Sequence, residues 1–305
     1  MKENEPISKL TNALSANRSV KLTECPRDGQ QGLPFIISPE KRAAYINNLM
    51  QAGFDVIDFG SFVSPKAVPQ MAESDKVLEL INKENSTTKL LAIVGNARGG
   101  IDAAAQEKVD IIGFPYSISN TFLEKNIHSN LEKVLSTAKE LGQIASDHDK
   151  QLRVYISMAF GNPYQDEWNE HIVADAVGTL VACGVQTITL SDTIGLGTAT
   201  SIGKITQSIL KNFPETEFGL HLHTHLHDWK EKIAAGWQAG CQNFDGVING
   251  FGGCPMTGYE LLGNVNTLHL LQWFQQENIV TGVNFSEVQK IANRYPDFKL
   301  LADES

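Results

Sequence analysis

Short apolar runs alternate along this chain with longer segments in which apolar residues recur every three or four positions. The clearest run is Phe218-Gly219-Leu220-His221-Leu222-His223, and polar residues follow it from Thr224 to Asp228. Side chains alternate across a strand, so His221 and His223 share one face while Leu220 and Leu222 share the other. Similar runs predict strands over 19–25, 54–59, 89–94, 109–114, 152–158, 185–191 and 243–248. Each is followed by a helical pattern, ending near 53, 82, 107, 149, 183, 212, 240 and 276 in turn. The first helix has Ser38 placed to cap it, Pro39 at its first position, and Ala43, Ile46, Leu49 and Met50 at helical spacing before Gly53. Gly53, Gly184 and Gly240 each stand where a left-handed cap would close a helix just ahead of the next strand.

Eight strand-then-helix units predict an α/β fold, a single (β/α)8 TIM barrel, whose usual length is about 250 residues. The strands are continuously apolar, as expected when both faces are covered. A doubly wound sheet is the other architecture of this pattern, but no G-x-G-x-x-G follows the first strand. The organisation read here is a polar leader over 1–18, the barrel over 19–277, and an extension over 278–305 with one extra helix near 285–296.

Composition narrows the partners. A formal net charge of −10 argues against a general nucleic-acid or anionic-membrane surface, while leaving room for a local basic pocket. The four cysteines, Cys25, Cys183, Cys241 and Cys254, form no C-x-x-C and fit free thiols in a reduced compartment. The first residues are polar and early-acidic without an apolar core, and nowhere do about 18 apolar residues run together, so the expectation is a cytoplasmic protein with no membrane span.

In such barrels the chemistry sits on the loops that leave the C-terminal ends of the strands. By that rule strand one delivers Arg27 and Asp28, strand two Asp58, strand six Asp192 and Thr193, strand seven its histidines, and strand eight Cys254 and Asn264. Spacing alone allows three histidine pairs, because the alternation continues through His225 and His227. Asp28, His221, His223 and Asn264 would supply two nitrogens and two oxygens, a set suited to a six-coordinate divalent ion such as Mg²⁺ or Mn²⁺. Each oxygen also has an ordinary structural account: Asp28 as a turn carboxylate paired with Arg27, and Asn264 as a helix N-cap. Metal-dependent hydrolases also carry H-x-H on a barrel, typically near the first strand, whereas here the pair comes seventh.

Six motifs in register resemble the 3-hydroxy-3-methylglutaryl-CoA lyases. They are Cys25-Pro26-Arg27-Asp28-Gly29, Val56-Ile57 leading into Ser61-Phe62-Val63-Ser64-Pro65-Lys66, Val68-Pro69-Gln70-Met71, Asp192-Thr193-Ile194-Gly195, the His221/His223 pair and Gly252-Gly253-Cys254-Pro255. The resemblance runs from about residue 20 to 275. It implies a retro-Claisen cleavage of a 3-hydroxyacyl-CoA, most directly 3-hydroxy-3-methylglutaryl-CoA to acetyl-CoA and acetoacetate. It matches Asp28, His221, His223 and Asn264 to the metal ligands, which leaves His225 and His227 outside the set. The ion would lower the pKa of the substrate hydroxyl. Arg27 would stabilise the enolate and Cys254 would protonate its carbon. Asp192 and Thr193 fall on the substrate side, and Lys66, at the helix start after Pro65, is offered to a CoA phosphate. A homodimer is the expected assembly.

Four departures ring this site. Asp58 stands where the family carries Glu, one methylene shorter, and could act as base or as positioning group. Thr224 replaces an Asp just after the histidine pair, Glu24-Cys25 replaces Val-Gly, and the loop from Cys254 to Asn264 is longer by one residue, with Tyr259-Glu260-Leu261-Leu262 in place of small residues. A related aldolase or condensing synthase, acting on a different 3-hydroxyacyl-CoA or a 2-oxo acid, is the alternative reading.

Overall fold

Each of eight strands pairs in parallel with the next, and the last returns to the first, closing a barrel. The computed structural model describes residues 19–252 and 262–302. The strands are β1 (Lys21–Glu24), β2 (Val56–Ser61), β3 (Lys89–Ile93), β4 (Ile111–Ser117), β5 (Gln151–Ser157), β6 (Thr187–Asp192), β7 (Glu217–Leu222) and β8 (Asn243–Gly246). The helices between and around them are α1 (Pro26–Gln30), α2 (Pro39–Ala52), α3 (Ser74–Leu80), α4 (Ala97–Ala104), α5 (Asn120–Ile127), α6 (Leu131–Asp147), α7 (Glu170–Ala182), α8 (Ala199–Asn212), α9 (Trp229–Ala239), α10 (Thr267–Gln276) and α11 (Phe285–Arg294). No helix among the described residues is long and apolar enough to cross a membrane.

The apolar runs serve two layers. Leu22, Ile57, Leu90, Ile112, Val154, Ile188, Leu220 and Phe244 face outward into the core shared with the helices. A separate, smaller cluster of Val56, Leu91, Ile93, Ile111 and Tyr155 fills the barrel interior. Alternation places Asp58, His221 and Asp245 on that inner face as well, so polar groups gather where the apolar filling stops.

Helix ends follow the local chemistry. Ser38 caps α2 by accepting from the Lys41 amide, and Gly53 closes it at φ 78°, a conformation that costs glycine nothing. The segment expected as one amphipathic helix over 123–149 is two: His128 turns left-handed at φ 51°, and Asn130 caps α6 by accepting from the Lys133 amide. β2, β4 and β6 each begin two residues later than the apolar runs suggested. Phe54, Val109 and Val185 are buried in the outer core before the chain reaches the ladder, so they carry the apolar signal without pairing.

Two local features matter for the site. The register of β2 against β3 slips between Asp58 and Gly60, a bulge of the kind that re-aims a side chain beside a functional centre. At the other end of the chain, Asn284 caps α11 and its amide donates to Ala52 O at 2.8 Å, docking that helix on α2. Tyr295 and Phe298 then stack edge-on against Tyr45, with centroids 5.1 and 5.6 Å away.

Candidate metal centre

β1 passes directly into α1, a single helical turn where the sequence suggested a plain turn, and this turn carries Arg27 and Asp28 over the mouth of the barrel. Across the mouth, His221 lies near the end of β7 and His223 just beyond it. Ligand atoms of Asp28, His221 and His223 all lie within 4.8 Å of one another, and all three residues are buried. The two Nε2 atoms are 3.3 Å apart, and Asp28 Oδ2 is 3.9 Å from His223 Nε2. His225 and His227 are exposed, their rings stacked 5.1 Å apart, so geometry also separates them from the buried pair.

Asn264 joins the cluster by a short bridge to His223 and is not a helix cap. The cap of α10 is Asn266, two residues later, which accepts from the Leu268 amide. Asn264 Nδ2 donates to Asp28 Oδ2 at 2.7 Å and to Phe251 O at 2.9 Å, which leaves its carbonyl Oδ1 as the atom an ion would take. For Asp28 both accounts hold together: Arg27 Nη1 donates to Oδ1 at 3.2 Å while Oδ2 faces the imidazoles.

Charge states fit a cation. Burial pushes the Asp28 carboxyl up, but Arg27, the two imidazoles and the Asn264 amide overcome it and hold the pKa at about 2. His223 is pushed down to about 4 by burial and by neighbouring His221, so its ring is neutral at pH 7. Its Nδ1 donates to Thr193 O at 2.9 Å, which leaves the Nε2 lone pair facing Asp28. Burial also works against protonation of His221, but the hydrogen bond and charge of Asp245 outweigh it and raise the pKa. That bond runs from His221 Nδ1 to Asp245 Oδ2 at 3.1 Å and orients the ring in the way carboxylates orient metal-ligating histidines. An ionised carboxylate, two oriented imidazole nitrogens and an amide oxygen form a donor set that can hold a divalent cation.

Beside these ligands, Arg27 Nε and Nη2 both reach Asp58 Oδ2, at 2.9 and 2.6 Å. Its Nη1 serves Asp28 and, at 2.9 Å, Gln31 Oε1. A guanidinium has five N–H bonds, so one Nη2 hydrogen remains for a ligand. Burial pushes the Asp58 carboxyl up to about 6, with Arg27 only partly offsetting it. Asp58 Oδ1 is buried with no hydrogen-bond partner among the described residues.

The other expected residues lie differently. Asp192 is buried, and its carboxylate accepts from Lys232 and the Gly197 amide. Thr193 contributes its backbone oxygen to His223, and its hydroxyl accepts from the amide of Met158, a buried residue held left-handed at φ 61°. Lys66 stands exposed in the loop after β2. Cys254 lies outside the described residues. A cavity of about 620 Å³ opens on the flank, between the loop after β2 and the start of α4, and none of the converging ligands lines it.

The model of the HMGL-like family matches residues 20–294. This chain belongs to the HMGL-like family. Among its relatives, cytoplasmic 3-hydroxy-3-methylglutaryl-CoA lyase of Homo sapiens is 31% identical over 272 residues, covering 89% of this chain and 73% of that one. A Pseudomonas aeruginosa enzyme named 3-hydroxy-3-isohexenylglutaryl-CoA/hydroxy-methylglutaryl-CoA lyase is also 31% identical, covering 88% of each chain. The solved HMG-CoA lyase of Acinetobacter baumannii, in complex with coenzyme A and 3-methylmalate, superposes with a TM-score of 0.86 at 25% identity, covering 93% of this chain and 91% of that one. The chain is thus an enzyme of the HMG-CoA lyase type on a TIM barrel, as its motifs implied.

Three polar residues of this HMGL-like site escaped the sequence reading, and a fourth, Cys25, entered it only as part of a motif and as a departure from the family's pattern. Gln31 follows Arg27 by one helical turn, and its Nε2 donates to Asp28 Oδ1 at 2.8 Å. Asp245 shares the inner face of β8, so strand alternation would have flagged it once the register was known. Lys232 lies on α9 as one of the largest fully buried side chains, a position where sequence suggests only an exposed helix lysine. Cys25 Sγ is within 4.8 Å of ligand atoms of His221 and Asp245, and burial and the surrounding carboxylates push its thiol well up.

Proposed function

We propose that this chain is a divalent-metal-dependent carbon–carbon lyase, using Mg²⁺ or Mn²⁺, that cleaves 3-hydroxy-3-methylglutaryl-CoA to acetyl-CoA and acetoacetate. The observation that carries this reading is the convergence of Asp28, His221, His223 and Asn264 beside a buried Arg27–Asp58 pair. Those four residues would hold the ion, which when bound lowers the pKa of the substrate hydroxyl and fixes its orientation. Arg27 directs its remaining Nη2 hydrogen at the thioester oxygen, where negative charge grows as the carbon–carbon bond breaks. It stays charged through the reaction, since both its carboxylate neighbours raise its pKa against the pull of burial. Asp58 Oδ1, free of partners among the described residues, is the acceptor for the hydroxyl proton, while Oδ2 keeps Arg27 in place. Cys254 is the proposed donor to the enolate carbon.

The test is direct. With Mn²⁺ and 3-hydroxy-3-methylglutaryl-CoA the purified enzyme releases acetyl-CoA, and His223→Ala abolishes release without loss of the folded circular-dichroism spectrum. Intact Mn²⁺ binding with no turnover would exclude this substrate. One observation favours a neighbouring reading. Asp58 is shorter than the Glu it replaces, and the Pseudomonas aeruginosa relative is named for a bulkier 3-hydroxyacyl-CoA. A panel of 3-substituted 3-hydroxyglutaryl-CoA thioesters, run with wild type and Asp58→Glu, separates the two; a preference unmoved by Asp58→Glu would remove position 58 as its cause.

A further inference from the structure

We infer that Lys232 is a positioning residue for His223, acting through the loop after β6; the inference rests on the metal reading above. Lys232 lies on α9 with a fully buried side chain, and its Nζ reaches Asp228 Oδ2 at 3.0 Å, Gly195 O at 3.1 Å and Asp192 Oδ2 at 3.4 Å. An ammonium has three hydrogens, and three acceptors surround this one. The Lys232–Asp192 pair is buried where water does not screen it, and the partly buried Asp228 completes the ammonium's shell from the loop side, so the charges hold one another in a single arrangement.

What the ammonium joins is specific. Asp192 and Gly195 belong to the loop between β6 and α8, in which the Gly197 amide also donates to both Asp192 oxygens, at 3.1 and 3.0 Å. Asp228 begins α9 and closes the loop that leaves β7, with its Oδ1 accepting from the His225 amide at 2.8 Å. His223 sits between these loops and takes a contact from the first on each side of its backbone and ring. Its amide donates to Asp192 O at 3.2 Å, and its Nδ1 donates to Thr193 O at 2.9 Å. The Nδ1 bond decides which ring nitrogen carries the proton and therefore keeps the Nε2 lone pair aimed at Asp28 and His221. Lys232 never touches the ligands, yet it clamps the backbone that holds one of them.

Removing the ammonium leaves the buried Asp192 carboxylate without a counter-charge, and the β6 loop must shift to hydrate it. Thr193 O moves with the loop, and His223 loses its fixed tautomer. Loss of such a supporting contact typically weakens metal binding by about 10–100-fold.

The experiment titrates Mn²⁺ into wild type, Lys232→Met and Lys232→Arg, following free Mn²⁺ by electron paramagnetic resonance, and records ¹⁵N-histidine spectra of the metal-free proteins. Wild type is expected to show His223 protonated at Nδ1. Lys232→Met is expected to bind Mn²⁺ at least about tenfold more weakly and to lose that tautomer signature, while Lys232→Arg, which keeps the charge, restores most of both. If Lys232→Met is less thermostable but binds Mn²⁺ as wild type does with an unchanged His223 spectrum, its role is structural and the inference falls. Should Lys232→Met not fold, Asp228→Asn removes one arm of the clamp at the loop, and unchanged Mn²⁺ affinity there also overturns the inference. Failure of wild type itself to bind Mn²⁺ would instead remove the metal reading on which this rests.

Discussion

Glu24 is a buried acid whose ionisation works against the fold. Its side chain is fully buried behind β1, accepting from the Ile248 amide at 2.8 Å and the Thr267 hydroxyl at 2.6 Å. Burial nevertheless raises its pKa from 4.5 to about 8, because two hydrogen bonds do not offset the loss of water. Between those values the folded protein keeps a proton that the unfolded chain gives up, so stability falls as pH rises through this window and levels off above it. With about 1.4 kcal/mol per pKa unit, the loss is on the order of 5 kcal/mol. Glu24→Gln preserves both contacts without the titrating proton. Urea unfolding is expected to show it near wild type at pH 5 and more stable by a few kcal/mol at pH 8; an equal difference at both pH values would show that ionisation is not the cause. The chain marks Glu24 only as a departure from the family's Val-Gly; its burial and its partners Ile248 and Thr267, more than 200 residues away, were not legible there. Arg27, Asp28 and the histidine pair were legible because a barrel rule assigns strand ends to the site, whereas Asp245 and Lys232 act through partners 24 and 40 residues away, and Gln31 reaches Arg27 and Asp28 only because the segment after β1 coils into a helical turn.

At the scale of elements, the segments that enter the site are fitted closely enough that single atoms decide their paths. Gly252, in the segment leaving β8, adopts φ 94°, and a Cβ there would lie 2.8 Å from Asp28 O, 2.9 Å from Asn264 Nδ2 and 2.9 Å from Gly29 Cα. Two of these are backbone atoms and the third belongs to a proposed ligand, so no flexible side chain can yield. Gly252→Ala should therefore separate Asn264 from Asp28, lowering Mn²⁺ affinity by about tenfold or more while leaving the barrel's circular dichroism intact; titration calorimetry gives the affinity, and a wild-type value would show that the loop has slack. Strand count and order could be read from periodicity, and so could both ends of α2, since Ser38, Pro39 and Gly53 act on their own neighbours. The starts of β2, β4 and β6 could not, because Phe54, Val109 and Val185 look like strand residues and pack like core. The break at His128 was hidden for a related reason: a left-handed histidine leaves no mark on an amphipathic pattern.

Over the whole molecule the support of the site reaches as far as α11 and the turn after it. Phe298 packs on Phe251 with centroids 4.8 Å apart, and a Cβ on Gly29 would come within 3.2 Å of its ring, so this aromatic lies directly beneath the helical turn that bears Asp28. The barrel itself is unevenly laced. β4 and β5 pair along their full lengths, from Ile111↔Gln151 to Ser117↔Ser157. β1 meets β2 only at Thr23↔Val56 and Glu24↔Ile57, and β7 meets β8 only at Gly219↔Asn243 and Leu220↔Phe244. Asp28 and Asn264 are 236 residues apart and follow the first and last strands, which pair with each other along their full length but only briefly with their other neighbours, β2 and β7. An ion gripped by both would act as a crosslink across nearly the entire polypeptide, worth more the tighter it binds because only the closed ring presents its ligands together. Adding Mn²⁺ is then expected to slow amide hydrogen exchange in β1 and β8 more than in β4 and β5; uniform slowing would mean that the cation rests on an already rigid rim and does not stitch it shut.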